Sequence, residues 1–260
     1  MGLMTGKKCL IMGIANKRSI AWGITQSLHR EGAELAFTYQ NERLKENVVE
    51  LVQSLEGHEN MPLLPCDVSK DEEIDALFAS LGEKWGKLDV LVHSLAYARS
   101  EDLHNDFVNV SREGWRIAQE ISAWSLVACT RGAVPLMEAA GGGSVFTLSY
   151  LAAERVVQKY NIMAPAKAAL ECSVRYLAHE LGAKNIRVNA ISAGPLKTLA
   201  ASAVKGVSIL RDIVEDRAPL RRNITIDEVG DVGLFLASPL SRCVTGATLY
   251  ADNGFSIMGV

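Results

Sequence analysis

Lys8-Cys9-Leu10-Ile11-Met12-Gly13-Ile14-Ala15-Asn16-Lys17-Arg18-Ser19-Ile20-Ala21-Trp22-Gly23 is the stretch that decides the fold. Its first five residues are an apolar run of strand length, Gly13 breaks the run, and a helical pattern follows Ser19. A strand, a glycine turn and a helix whose first amides point at the loop together make a seat for a pyrophosphate. The loop departs from G-x-G-x-x-G, since only Gly13 and Gly23 stand in it. Ser19 is the expected helix cap, and its hydroxyl can also reach a phosphate. An ordinary strand-to-helix turn has the same outline, so the neighbouring segments must decide between the two.

Glu34 to Tyr39 (ELAFTY) is a second strand at the distance a βαβ unit requires. Dinucleotide folds place an acidic residue after this strand for the adenosine ribose, or an arginine for a 2′-phosphate. Here Gln40 holds the contact position and Glu42 is near, which favours NADH, while Arg43 and Lys45 keep NADPH as the lesser alternative. Met61 to Cys66 (MPLLPC) reads as a third strand whose prolines put it at an edge. Asp67 and Val68 follow; Asp67 either accepts from an adenine amino group or caps a helix starting near Ser69. Leu88 to His93 is a fourth strand, and the small residues of Ser94-Leu95-Ala96-Tyr97-Ala98 suit either a flat ring lying on the backbone or a tight packing turn.

Ser111 to Ala140 carries one long helical pattern, with Trp115, Ile117, Ile121, Trp124 and Leu126 spaced to bury a face or to meet a second subunit. Ser144 to Leu148, Ile186 to Ile191 and Thr248 to Ala251 are the remaining strands. The prediction is a single-domain Rossmann-like α/β fold over residues 1–260, a doubly wound sheet of about seven parallel strands. A loop at about 192–215, rich in small residues, is placed to close over a ligand.

The fifth strand leads into Ser149-Tyr150 and then to Tyr160 and Lys167. This is the ligand edge of an open α/β sheet. On a continuous helix the spacing of Tyr160 and Lys167, seven positions or roughly two turns, sets both on one face. There the ammonium lowers the phenol's pKa and suits it to general-acid work near neutral pH. A half-buried aromatic beside a surface lysine is the plainer alternative. Pro165 lies between them, so the helix is expected to begin near it, with Tyr160 on the preceding turn.

Composition narrows the partners. The net charge is −3 with dispersed basic residues, which indicates no nucleic-acid partner. No apolar run approaches the roughly 20 residues of a membrane span, and no signal-type segment opens the chain, so a cytoplasmic protein is expected. The five cysteines are scattered, which suits reduced thiols better than disulfides or zinc, and the histidines form no ligand pattern, so no metal is expected.

Three motifs together resemble the bacterial enoyl-acyl-carrier-protein reductases of the short-chain dehydrogenase/reductase superfamily. They are Gly13-x5-Ser19-Ile20-Ala21-x-Gly23, Tyr160-x6-Lys167, and Arg187-Val-Asn-Ala-Ile-Ser-Ala-Gly-Pro195-x-x-Thr198-Leu-Ala-Ala. Asp252-Asn-Gly-Phe-Ser-Ile is similar to the family's C-terminal signature, so the likeness runs from about Lys7 to Met258. It implies hydride transfer from NADH to the β-carbon of a trans-2-enoyl thioester on acyl carrier protein, in fatty-acid elongation. By the same resemblance Tyr160 meets the enolate oxygen, Lys167 holds the nicotinamide ribose, and Tyr150 lines the acyl pocket. Gly13, Ser19, Ile20, Gln40, Asp67, Val68, Leu95, Lys167, Leu196, Lys197, Thr198, Leu199 and Ala200 fall on cofactor positions, with Ala98 and Met163 beside the acyl group. It also implies a homotetramer. After Lys205, Gly206-Val-Ser-Ile replaces the basic residues with which the family often meets its acidic carrier.

Two other readings fit parts of the pattern. A superfamily enzyme working on a carbonyl or alcohol usually shows Tyr-x3-Lys and an Asn-Ala-Gly turn, where this chain has Tyr-x6-Lys and Ser94-Leu-Ala. A non-catalytic dinucleotide-binding regulator usually lacks the tyrosine or the lysine, and both are present.

Overall fold

Alternating runs of buried β-formers and helical segments become, in a computed structural model, a parallel sheet covered on both faces; residues 2–198 and 207–259 are described, 207–209 by backbone alone. The described strands are β1 (Lys8–Met12), β2 (Glu34–Tyr39), β3 (Leu63–Pro65), β4 (Val90–His93), β5 (Gly143–Ser149), β6 (Ile186–Ala193) and β7 (Thr248–Ala251). They form one seven-stranded parallel sheet in the order β3-β2-β1-β4-β5-β6-β7. The predicted fold class holds, and β3 is an edge strand as its prolines required. The order reverses between β1 and β4, where Met12 is paired with His93, so a crevice opens at their carboxyl ends.

Strand alternation builds two cores. Cys9, Ile11, Leu35, Phe37, Val90, Val92, Phe146, Leu148 and Ile191 face one layer of helices. Leu10, Met12, Ala36, Leu91, Val145, Val188 and Ala190 face the other. Burial on both faces is why these strands read as continuous apolar runs. The first layer includes α1 (Ile20–Arg30), α2 (Glu42–Gln53) and the C-terminal Ile226–Ala237 helix. The second has α3 (Asp71–Trp85), the Ser125–Ala139 helix and the Met163–Leu181 helix. Gly23 lets two of these helices meet closely, because a Cβ there would lie 2.4 Å from the Ile226 carbonyl oxygen, and one at Gly230 would lie 2.4 Å from that of Gly23.

Between β4 and β5 come α4 (Ser100–His104), α5 (Arg112–Gln119), a π-helical turn at Glu120–Trp124 and α6 (Ser125–Ala139). The single long helix expected over 111–140 is thus interrupted. Its expected buried face is also corrected: Trp115 and Trp124 are 44% and 46% exposed, whereas Ser122, Ala123 and Leu126 are buried. The π turn inserts an extra residue per turn and rotates the apolar stripe, which a constant 3.6-residue period cannot anticipate. The chain continues with α7 (Met163–Leu181), α8 (Val207–Arg217) and α9 (Ile226–Ala237).

Candidate active site

Lys167 and the two tyrosines reach the carboxyl end of β5 by different routes. Tyr150 directly follows β5 and Lys167 is on the first turns of α7, but Tyr160 sits in the turn before that helix. The continuous-helix reading of Tyr160-x6-Lys167 is therefore corrected, and the expected start near Pro165 holds. Pro165 is the third residue of α7, within the first turn, where its missing N–H is one the helix would leave unpaired anyway. Lys159 and Asn161, at φ 65° and 47°, flank Tyr160 in the left-handed region and turn the chain sharply around it.

The Tyr150 and Tyr160 rings lie with centroids 4.7 Å apart at 46°. Tyr160, Ala98 and Met163 join Leu103, Val110, Ala118 and Ile162 in a small apolar cluster apart from the two main cores. Three of the positions assigned to substrate thus share one apolar cluster, with the Tyr150 ring against that of Tyr160. Burial pushes the Tyr150 phenol up to about 12. Burial, then the neighbouring Tyr150, raise that of Tyr160 further. This corrects the expectation that Lys167 lowers the Tyr160 pKa. Both phenols are neutral O–H donors at physiological pH. Burial brings the Lys167 ammonium down to about 8, against a raising influence from Glu171, and its Nζ donates to the Leu148 carbonyl at 2.7 Å.

The cofactor positions fall into two groups along the crevice. Gly13, at φ 98°, packs so closely on the end of β4 that a Cβ would stand 2.0 Å from the Ser94 carbonyl oxygen and 3.3 Å from Leu95 Cδ2. Ser19 occupies the N-cap position of α1 but makes no capping bond. Its hydroxyl oxygen accepts from the Ala15 and Asn16 amides, each at 3.1 Å, and so shapes the loop, which corrects the expected cap. No side chain caps α1 and no acidic residue stands in its first turn, so the dipole end beside Ile20 faces the loop. At the β2–β3 end, Gln40 Nε2 donates to Asp67 Oδ2 at 3.3 Å, while the Ser69 amide and hydroxyl donate to Asp67 Oδ1. Asp67 therefore closes a local turn and leaves the start of α3 uncapped. Burial opposes its ionisation, yet the Ser69 and Gln40 bonds and the charge of Lys70 hold its pKa below the ordinary value. Val68 is buried in the second core. Leu196 is buried in the first, Lys197 is exposed, and the Thr198 amide donates to the Leu196 carbonyl. Leu199 and Ala200 lie outside the described residues, as does all of 199–206; the loop expected over 192–215 is corrected at both ends, because 192–193 finish β6 and 207–215 belong to α8.

Several contributors escaped the sequence reading. Ser122, in the π turn, accepts from the Tyr97 amide at 2.9 Å, donates to the Tyr97 carbonyl at 3.1 Å, and lies 3.9 Å from Met163 Sδ. It ties the loop after β4 to the substrate cluster. Asn161 Nδ2 donates to the Asp102 and Asn105 carbonyls at 2.8 and 2.7 Å, pinning the Tyr160 turn to α4. The sequence signal available was adjacency to Tyr160 alone. Among the described residues no cluster of histidine, cysteine, aspartate or glutamate is arranged to hold a metal, and no helix is long and apolar enough to cross a membrane.

A family profile described as enoyl-(acyl carrier protein) reductase matches residues 13–256. The chain belongs to that family. It is 52% identical over 260 residues to the enoyl-[acyl-carrier-protein] reductase [NADH] FabI of Bacillus cereus, covering all of both chains. It is 47% identical over 258 residues to the protein of that name from Escherichia coli, covering 99% of this chain and 97% of that one. The crystal structure of the Bacillus cereus enoyl-acyl carrier protein reductase with NADP+ and indole naphthyridinone superposes with a TM-score of 0.97 at 50% identity, each chain covered in full. For the Anaplasma phagocytophilum reductase in complex with NAD, the TM-score is 0.94 at 43% identity, with 100% of this chain and 97% of that one covered. The fold of this reductase is shared along its whole length with those solved structures.

Proposed function

We propose that Tyr160, Lys167 and Tyr150 divide the work of an NADH-dependent enoyl-[acyl-carrier-protein] reductase, the activity to which this chain's family and relatives assign it. The observation that supports the division is the pairing of two neutral tyrosine rings on an apolar wall with a buried ammonium at the end of β5. The residues present fit a dinucleotide: an uncapped helix end beside Gly13 and Ser19 suits the pyrophosphate, and the linked Gln40 and Asp67 suit the adenosine end. When bound, NADH supplies the hydride that adds to the β-carbon of the enoyl thioester. Gln40, with no arginine at the strand end, favours NADH, and NADPH is the lesser alternative. Ser19, Ile20, Leu95, Val68 and the 196–200 segment complete its contacts in this reading.

Charge then develops on the thioester oxygen. The Tyr160 O–H, kept protonated by burial, donates to that oxygen and stabilises what appears only beyond the ground state. Lys167 holds the nicotinamide ribose and adds positive potential. Tyr150 orients the acyl group against Ala98 and Met163 and is placed to deliver a proton. The segment joining β6 to α8 serves as the substrate loop, and acyl carrier protein is the partner that presents the chain. A homotetramer, supported by exposed Trp115 and Trp124 on the α5–α6 segment, and a cytoplasmic setting, supported by the dispersed free cysteines, complete the reading.

Tyr160→Phe tests the division of labour. It is expected to lower kcat on a crotonyl thioester by about 10²- to 10³-fold with NADH affinity unchanged. Lys167→Ala is expected to weaken NADH binding as well. If both variants turn over like the parent, the assignment fails.

A further inference from the structure

Lys167 is not the only buried ionisable group that α7 brings to the end of β5. Glu171, one turn further along the helix at about 6 Å of rise, is 5% exposed. The Ser149 hydroxyl donates to Glu171 Oε1. Consecutive residues of one strand end are thus engaged from one helix: the Leu148 carbonyl by Lys167 and the Ser149 side chain by Glu171, immediately before Tyr150. A carboxyl group buried this deeply needs a reason to stay. The turnover steps proposed above do not use it.

We propose that Glu171 is a positioning residue of the reductase site: anchored by Ser149, its carboxylate is the counter-charge that keeps the Lys167 ammonium protonated and directed at the nicotinamide ribose. The inference rests on the reading of Lys167 as the ribose-holding residue. Burial alone drives Lys167 towards its neutral form, and Glu171 is the charge that opposes this, leaving the ammonium at about 8. His93, on β4, feels the Lys167 charge and is itself neutral, so it offers no counter-ion. Around Glu171, burial raises the carboxyl pKa; Ser149 lowers it, Glu154 raises it, and Arg175 and Thr248 lower it, while Tyr250 on β7 feels its charge. Burial prevails and the Glu171 carboxyl stands above its ordinary value, with Ser149, Arg175 and Thr248 limiting the rise.

The test is the pH dependence of NADH affinity, read by NADH fluorescence between pH 6 and 10. For the parent enzyme affinity is expected to fall as pH rises through about 8 as Lys167 loses its proton. Glu171→Gln is expected to move this fall down by about one pH unit. At pH 7.5 its affinity then drops several-fold, while at pH 6 it equals the parent, which also shows that the variant is folded. Glu171→Asp should restore part of the shift. Ser149→Ala, which keeps the carboxyl but frees it, should move the fall in the same direction by less. If the Glu171→Gln and Ser149→Ala curves superimpose on the parent's while Lys167→Ala abolishes the fall, the role of Glu171 is overturned and the site reading stands. If Lys167→Ala leaves the fall in place, the reading of Lys167 itself is overturned.

Discussion

His93 ends β4 directly beneath the crevice, wholly buried, with Nδ1 2.9 Å from Thr147 Oγ1 and Nε2 2.8 Å from Ser125 Oγ. Burial, and after it the Lys167 charge, push its pKa down to about 3, so the ring is neutral and bridges the two hydroxyls. Because the folded pKa lies below the unfolded value of about 6.5, stability from this group is complete above pH 6.5. It is lost as pH falls towards 3, the loss reaching about 2 kcal/mol at pH 5. His93→Gln should therefore flatten the loss of stability between pH 6.5 and 5 in urea denaturation; an unchanged slope would place the titration elsewhere. Lys167 has the same sense in a higher pH window. Its folded pKa of about 8 is likewise depressed from an unfolded value of about 10.5. Its burial weighs on the fold below pH 8 and is relieved as pH rises towards 10.5, so the ribose-holding role proposed for it comes at a cost in stability.

At the scale of elements, the π turn and the glycine-lined helix contact set how firmly the crevice is shaped. Ser122→Ala removes both bonds to the Tyr97 backbone and the contact with Met163. It is expected to raise KM for the enoyl thioester by about tenfold with Tm changed little, because the loop after β4 and the acyl wall lose registration. Gly23→Ala drives a Cβ against the Ile226 carbonyl and forces α1 from α9. Overpacking of this kind costs about 1–3 kcal/mol, measured as a lower urea midpoint. Pro165→Ala, in the first turn of α7, should change stability by less than about 1 kcal/mol. These contrasts mark what the sequence could tell. β1 and β2 were legible to the residue because strands buried on both faces are continuous apolar runs bounded by turn residues, and the edge strand β7 because turn residues bound a short run of β-formers. The π turn was not, since its residues are ordinary helix formers. Nor was the partner of Ser19: its place at the head of α1 was legible, but the choice between capping and bonding back into the loop depends on backbone angles distributed over four residues. Tyr160, Tyr150 and Lys167 were found from spacing and resemblance. Their ionisation was misjudged because burial, a property of the assembled wall, outweighs the neighbouring charge.

For the whole molecule, the order β3-β2-β1-β4-β5-β6-β7 places residues far apart in sequence at one mouth: Gly13, Leu95, Tyr150 and Lys167 all follow or face strand ends around the switch between β1 and β4. One edge of this reductase bears Trp115 and Trp124, half exposed on the interrupted α5–α6 segment. An association that covers them predicts tetramers by sedimentation at micromolar concentration, and Trp124→Glu should shift the mass distribution towards smaller species. What defines the enzyme is the bond that its site reduces. The direct measurement is NADH oxidation by the one protein on a crotonyl thioester and on an acetoacetyl thioester of the same carrier, compared as kcat/KM. The enoyl substrate is expected to be preferred by at least about 100-fold, since the proposed division of labour commits the Tyr160 hydroxyl to a thioester enolate. An equal or faster rate on the ketone would contradict that commitment.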